Sequence, residues 1–159
     1  MTTVLQTIPI LPGMDDRSFV GRDLTGERLQ GMNLRDADFT GACLRGVNLR
    51  GANLAGANFT GADLTKAVLV GAILNGANFT DACLRNATVK SATFGGTIFC
   101  RTNCRGVDFF GGDLTVASLD SADLKNASLY MAVIYPYQMQ TCNLDNTTMP
   151  SGKVMTHKR

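Results

Sequence analysis

The sequence predicts an all-β fold, a four-sided parallel β-helix of about six to seven coils, and three observations carry that reading. From Phe19 to Met149 every fifth residue is apolar or nearly so without a slip of frame, and it is Leu or Phe at 22 of 27 positions. Two residues before most centres stands a small residue, Ala at 15 positions, and two residues after the centre stands Gly at 13 positions. Centres twenty apart also sort by chemistry: one column reads Phe19, Phe39, Phe59, Phe79, Phe99, while the next reads Leu24, Leu44, Leu64, Leu84.

Neither a helix of 3.6 residues per turn nor a strand of period two stays in phase with a repeat of five, so the chain must bend once per repeat. The small residue and the large centre, two apart on an extended backbone, face inward together. The residues between and after them face out, and they are mostly polar, as at Asn48, Asn53, Asn58, Asp63, Thr40, Thr60 and Thr80. Glycine turns the corner because it accepts positive φ, and Asp36, Asp81, Asn86, Asn126 and Asn146 are the next most tolerant substitutes. Lys66, Val116 and Met131 at the same position predict a different turn type.

Twenty residues per coil make four sides, headed by Phe19, Leu24, Leu29 and Leu34 and numbered one to four in that order. Coils stacked at ~4.8 Å give a rod of roughly 30 Å. Residues 1–18 read as an N-terminal capping segment: Val4, Leu5, Ile8, Ile10 and Leu11 can cover the open bore, and Pro9 and Pro12 interrupt them. A basic start and an uninterrupted apolar stretch, the marks of a secretory leader, are missing there. Residues 19–149 form the repeat. Its late departures, where Thr97, Thr102, Val107, Gly112, Tyr137, Cys142 and Thr147 replace Ala, predict wider or irregular last coils. Residues 150–159 are a polar, basic tail that either folds back over the end or leaves it to pair with a second chain, a homodimer through the C-terminal coils.

Repeats such as Ala52-Asn53-Leu54-Ala55-Gly56 and Ala57-Asn58-Phe59-Thr60-Gly61 resemble the A-(D/N)-(L/F)-x-x unit of pentapeptide repeat proteins, over about four fifths of the chain. The resemblance implies a right-handed quadrilateral β-helix. It also brings in members that bind DNA gyrase by resembling duplex DNA in shape and charge, a mechanism that needs an acidic face. Here the position after the centre carries acids only at Asp120 and Asp145. A DNA-mimic binder of gyrase or topoisomerase is therefore the alternative reading. The Ala-rich repeats look more like the short, uninterrupted members common in cyanobacteria, for which a role in protein interaction or regulation is supposed.

Nothing in the residues points to catalysis. His157, the one histidine, falls outside the repeat. The five cysteines lack CxxC spacing, and Cys43 and Cys83 share a column two coils, or about 9.6 Å, apart, beyond the ~7 Å reach of a disulfide. Free thiols suit a reducing cytoplasm. The glycines recur as corners and do not form a phosphate loop, and Asp63, Asp108, Asp113 and Asp123 occupy an outward position the repeat favours for Asp or Asn. No catalytic, cofactor or metal residue is expected. No run approaches the roughly 18 apolar residues of a membrane span, so the reading is of a soluble, cytoplasmic protein.

Function is then a question of surface. Arg45, Lys66, Arg85, Arg105 and Lys125 line up on side two as a candidate basic stripe, either a solubilising face or a track for nucleic acid. A net charge of +2 and no aromatic residue interleaved among the cations argue against nucleic acid. The outward ladder Thr40, Thr60, Thr80 suggests a flat surface-binding face of three rungs only. Phe110, Tyr130, Val133 and Tyr135 project from late coils on sides three and four and form the candidate protein-binding patch, unless the tail or cap packs over them. Val68, Val70 and Ile73 extend it on the same sides. The sequence thus reads as a non-enzymatic interaction or regulatory scaffold, with an unidentified protein as partner.

Overall fold

The computed structural model describes residues 17–156, and each of the repeat's five positions has one backbone task within them. Around Phe59 the centre N–H donates forward to Asn78 O at 2.7 Å, and the corner Gly61 N–H to Thr80 O at 3.0 Å. The outward Asn58 N–H donates backward to Ala37 O at 2.9 Å. Ala62 N–H closes the turn onto Phe59 O at 2.9 Å. Repetition of this set gives parallel bridges between residues twenty apart, from Ser18↔Asp38 to Ser128↔Thr148, and the chain is a right-handed quadrilateral β-helix. The expected capping segment, apart from residues 17 and 18, and His157 lie outside the described residues.

The i+3 to i hydrogen bond with positive φ at the third residue is the signature of a type II turn. Gly61 holds it at φ 67°, and the expectation for Lys66 and Met131 is corrected: they adopt φ 62° and 58° in the same turn. The forward bond from each corner N–H, Lys66 to Arg85 O at 2.9 Å and Met131 to Pro150 O at 3.0 Å, fixes the corner whatever the side chain. Each non-glycine residue held there bears a cost of about 1–2 kcal/mol. Val116 is outside the positive-φ set although Ala117 N–H still bonds Leu114 O, so there the turn type does change.

Small residues and centres fill the bore. Phe19, Phe39, Phe59, Phe79 and Phe99 stack with ring centroids 4.7–5.3 Å apart and planes within 10°. Phe94 intrudes into a column otherwise aliphatic, and its tilted ring lies 5.9 Å from Phe99 and 5.8 Å from Phe109. Gly112 makes room for it, since a Cβ at Gly112 would sit 2.9 Å from Phe94 Cε2.

The inward threonines do not disorder the late coils, because Thr97, Thr102 and Thr147 donate to Leu74 O, Phe79 O and Leu124 O at 2.8, 2.7 and 2.6 Å. Beyond the changed turn at Val116, the main irregularity lies at the C-terminal end. Proline at 136 cannot take the positive φ a corner requires, and the chain enters a 3-10 turn at Pro136–Met139. Tyr137, expected inward, is instead exposed, and Gln138 fills the bore, its Nε2 donating to Leu114 O and Ala117 O at 2.7 and 2.6 Å. The tail folds back: Val154 pairs antiparallel with Thr148, bounded by Met149 N–H to Lys153 O and Met155 N–H to Thr147 O, both 2.8 Å.

Candidate functional site

A side chain one residue past a centre projects from the flat side and comes beside the outward residue eighteen positions later, one coil along. On side two this neighbour decides the fate of each cation. Arg45 Nη1 reaches Asp63 Oδ2 at 3.3 Å and Arg105 Nε reaches Asp123 Oδ2 at 2.7 Å. Lys125 pairs instead with Asp145, twenty residues on. Arg85 faces Asn103, and neither it nor Lys66 makes an ion pair within the described residues. The stripe is therefore a row of alternating charge with two cations unmatched. Such exposed pairs contribute at most about 1 kcal/mol each. Burial raises the Asp63 carboxyl, but the hydroxyl and N–H of Thr65 and the Arg45 charge outweigh it and hold Asp63 below the ordinary carboxylate range.

The threonine ladder is likewise engaged. Thr60 Oγ1 donates to Asn58 Oδ1 at 2.7 Å and Thr80 Oγ1 to Asn78 Oδ1 at 2.6 Å. Asn58 and Asn78 in turn donate to Thr40 Oγ1 and Thr60 Oγ1 at 2.9 and 3.3 Å, which leaves the half-buried hydroxyls knitting coils together. Burial pushes the Cys104 thiol far above its usual range and Cys142 up to about 11, so neither is a nucleophile at neutral pH. No group of His, Cys, Asp or Glu among the described residues is arranged to hold a metal ion. A shallow depression of about 390 Å³ on side four is lined by Asn75, Thr93, Phe94, Gly95 and Val116, without paired acid–base groups.

The aromatic residues do come together. Phe110 and Tyr130, on consecutive coils of side three, lie 6.0 Å apart between ring centroids at 48°. Around the corner Val133 and Tyr135 are 54% and 50% exposed, and the tail reaches this patch at Gly152, beside the Tyr130 ring, and at Pro150, whose O accepts from Met131 N–H. Two members escaped the sequence reading. Met131 occupies the intervening corner, 58% exposed, and Tyr137 stacks on Tyr135 with centroids 5.8 Å apart. The corner position of Met131 was sufficient to place it outward, and Pro136 was the signal that Tyr137 would leave the bore. Of the smaller apolar group, Ile73 is exposed while Val68 and Val70 are half-buried.

The five-residue geometry agrees with comparisons to known proteins. A family model described as pentapeptide repeats matches eight copies in residues 18–51, 52–90 and 90–126. The chain belongs to the pentapeptide repeat family. It is similar to HetL, a pentapeptide repeat protein involved in heterocyst differentiation regulation from the cyanobacterium Nostoc sp. strain PCC 7120, at 28% identity and a TM-score of 0.66. That alignment covers 87% of this chain and 72% of HetL. Rfr23 from the cyanobacterium Cyanothece 51142 is 24% identical, with a TM-score of 0.56 over 82% of this pentapeptide repeat chain and 92% of Rfr23. QnrB1, a plasmid-mediated fluoroquinolone resistance protein, is 16% identical over 83% of this chain and 81% of its own, and at a TM-score of 0.44 the likeness carries no argument about function. No curated protein matches the sequence significantly. No helix among the described residues is long and apolar enough to cross a membrane.

Proposed function

We propose that this pentapeptide repeat protein is a non-enzymatic interaction scaffold that presents the Phe110, Tyr130, Val133 and Tyr135 patch to a protein partner. One observation carries the reading: large apolar side chains that the repeat could have kept polar are exposed together on two adjoining sides of the last coils. Aromatic anchors of this kind contribute a disproportionate share of binding energy when a partner covers them. The likeness to HetL, involved in the regulation of heterocyst differentiation, supports a regulatory setting for such a contact. Pairing of three of the five stripe cations with aspartates favours the patch over nucleic acid binding.

The test is affinity capture from a native-source lysate with the wild type and a Phe110→Ala, Tyr130→Ala variant, alongside circular dichroism and sedimentation. The expected result is one specific protein, retained by the wild type and lost at least tenfold from the folded variant. Capture that the substitutions leave unchanged would move the contact elsewhere, and capture of gyrase or of nucleic acid would replace the reading. A wild-type dimer dissociated by the substitutions, with no captured protein, would make the patch a self-association surface.

A further inference from the structure

We propose that the last rung of side four, residues 132–134, is a docking edge to which an extended segment of a partner protein adds as an antiparallel strand. The inference rests on the C-terminal coils being a protein contact and specifies the form of the partner. It begins with the ladder itself. On side four Leu114 N–H donates forward to Val133 O at 2.8 Å, and Val133 N–H donates back to Gly112 O at 2.9 Å. Leu34, Leu54 and Leu74 spend their N–H groups on the following coil in the same way, and only at Phe94, where the ring distorts the wall, is that bond not formed between consecutive coils of this side. On coil six the groups that would face a following coil are Ile134 N–H and Ala132 O, and among the described residues no backbone group pairs with either.

The chain shows what fits such an edge. On side three the equivalent groups, Met149 N–H and Thr147 O, are met by Lys153 O and Met155 N–H of the tail, antiparallel, at 2.8 Å each. The tail then runs beside Asn146, whose N–H bonds Met155 O, and so moves away from side four. Pro136, with no N–H to offer and no access to a corner conformation, ends the ladder beyond Tyr135.

The open rung also lacks the usual protection of a sheet edge. Met131, Ala132, Val133, Ile134 and Tyr135 carry no charge, and Val133 and Tyr135 stand exposed along it. Its surroundings select the occupant. Sides two and three continue one coil further, at Asn143 and Thr148, and side three adds the tail strand, which leaves the side-four rung recessed by one to two strand spacings of ~4.8 Å. A second rod cannot bring its own recessed rung into contact, because the protruding sides of the two ends would collide. An isolated extended segment enters freely, with main-chain bonds to Ile134 and Ala132 and an uncharged side chain against Val133.

The test uses the full-length ¹⁵N-labelled protein and, as probe, a peptide with the sequence of residues 151–159, whose central segment already pairs with the equivalent edge. Saturable shifts at residues 132–135 with millimolar peptide, and exchange of the Ile134 N–H slowed about tenfold, are expected. The same peptide N-methylated at its Met155 position should bind about tenfold more weakly, and so should the unmodified peptide to a Val133→Lys protein of unchanged melting temperature. Four outcomes would overturn the proposal: no shifts at these residues, equal binding of the two peptides, shifts at residues 147–149 through displacement of the resident tail, or a dimer that Val133→Lys dissociates. The first three leave the aromatic patch reading standing; the fourth bears on it as well, since Val133 belongs to both, and the Phe110→Ala, Tyr130→Ala variant tests the patch without altering the rung.

Discussion

Gly112 and Phe94 should behave as one unit in the core, and the Gly112→Ala substitution tests it. Alanine is the ordinary residue at this repeat position, and glycine in a regular element is usually the costlier choice, so sequence logic alone expects a gain of about 0.4–1 kcal/mol. The structure expects the opposite. The new Cβ would lie 2.9 Å from Phe94 Cε2 and 3.2 Å from the Phe109 carbonyl oxygen. Phe94 is 1% exposed and bounded by the rings of Phe99 and Phe109, so retreat of its ring into the bore is blocked. Overpacking of this kind costs about 1–3 kcal/mol, and the net loss is about 1–2 kcal/mol after the gain in unfolded-chain entropy is set against it. For a chain of this size that is a fall of about 3–6 °C in melting temperature. Phe94→Leu, the side chain used by Leu34, Leu54, Leu74 and Leu114 in the same column, removes the clashing ring edge. The double variant should recover at least about 1 kcal/mol relative to the sum of the singles, measured by thermal and denaturant unfolding followed by circular dichroism. Additive effects, or a stabilised Gly112→Ala protein, would refute the packing argument.

Lys66→Gly and Met131→Gly, at corners held at φ 62° and 58°, should each stabilise by about 0.5–1 kcal/mol in denaturant titrations, whereas Val116→Gly, with no positive φ to relieve, should destabilise. Asp23 and Asp113, bonded chiefly by Thr25 and Thr115, and Asp63 have carboxyls held below the ordinary value. Groups depressed in the folded state contribute stability that is complete above the unfolded pKa of about 3.9 and lost as pH falls through the folded values, so melting temperature should be flat at pH 5–7 and drop below about pH 4. Asp113→Asn should flatten that acid limb by its own share. Thiol titration at pH 8 should modify Cys43, Cys83 and Cys100 in the native state and spare buried Cys104, with Cys142 slow; rapid modification of all five would mean that the late coils open.

Architecture was legible because the repeat writes each demand many times over: the Phe column predicted a stack, and Phe39 and Phe59 lie 4.8 Å apart as that requires. The stripe was visible as positions but not as chemistry. Two of its ion pairs follow from spacing, since Arg45 and Asp63, like Arg105 and Asp123, stand eighteen apart, so those neutralising partners could have been read from the sequence, whereas Lys125 reaches Asp145 twenty residues on. Lys66 and Met131 were misjudged for a different reason. Residue preference argued against positive φ, but each corner N–H is committed to the next coil, and that ladder overrides a local cost of a kcal/mol or two. Gln138 was beyond reach: the break at Pro136 could be seen, yet which side chain would fill the bore depends on the carbonyls of Leu114 and Ala117 one coil earlier.

The regular coils explain why no function can be assigned to them. Where the inward residues are spent on the bore and outward groups such as Asn58, Thr60, Asn78 and Thr80 on their neighbours, little is left to engage another molecule. Departures are informative in proportion to what they cost. Met131 is the clearest case: an exposed apolar side chain in a left-handed corner that Gly or Asn would occupy at lower energy, placed between the Phe110–Tyr130 pair and the Val133–Tyr135 rung. Packing does not require it, since the side chain points to solvent, and the turn is formed by glycine at 13 other corners. A strained conformation combined with exposed apolar surface adds cost twice over, and the same short segment also ends the ladder with Ile134 N–H open. That concentration of costs on residues 130–137, in a chain otherwise repetitive, is the physical ground for placing the partner there.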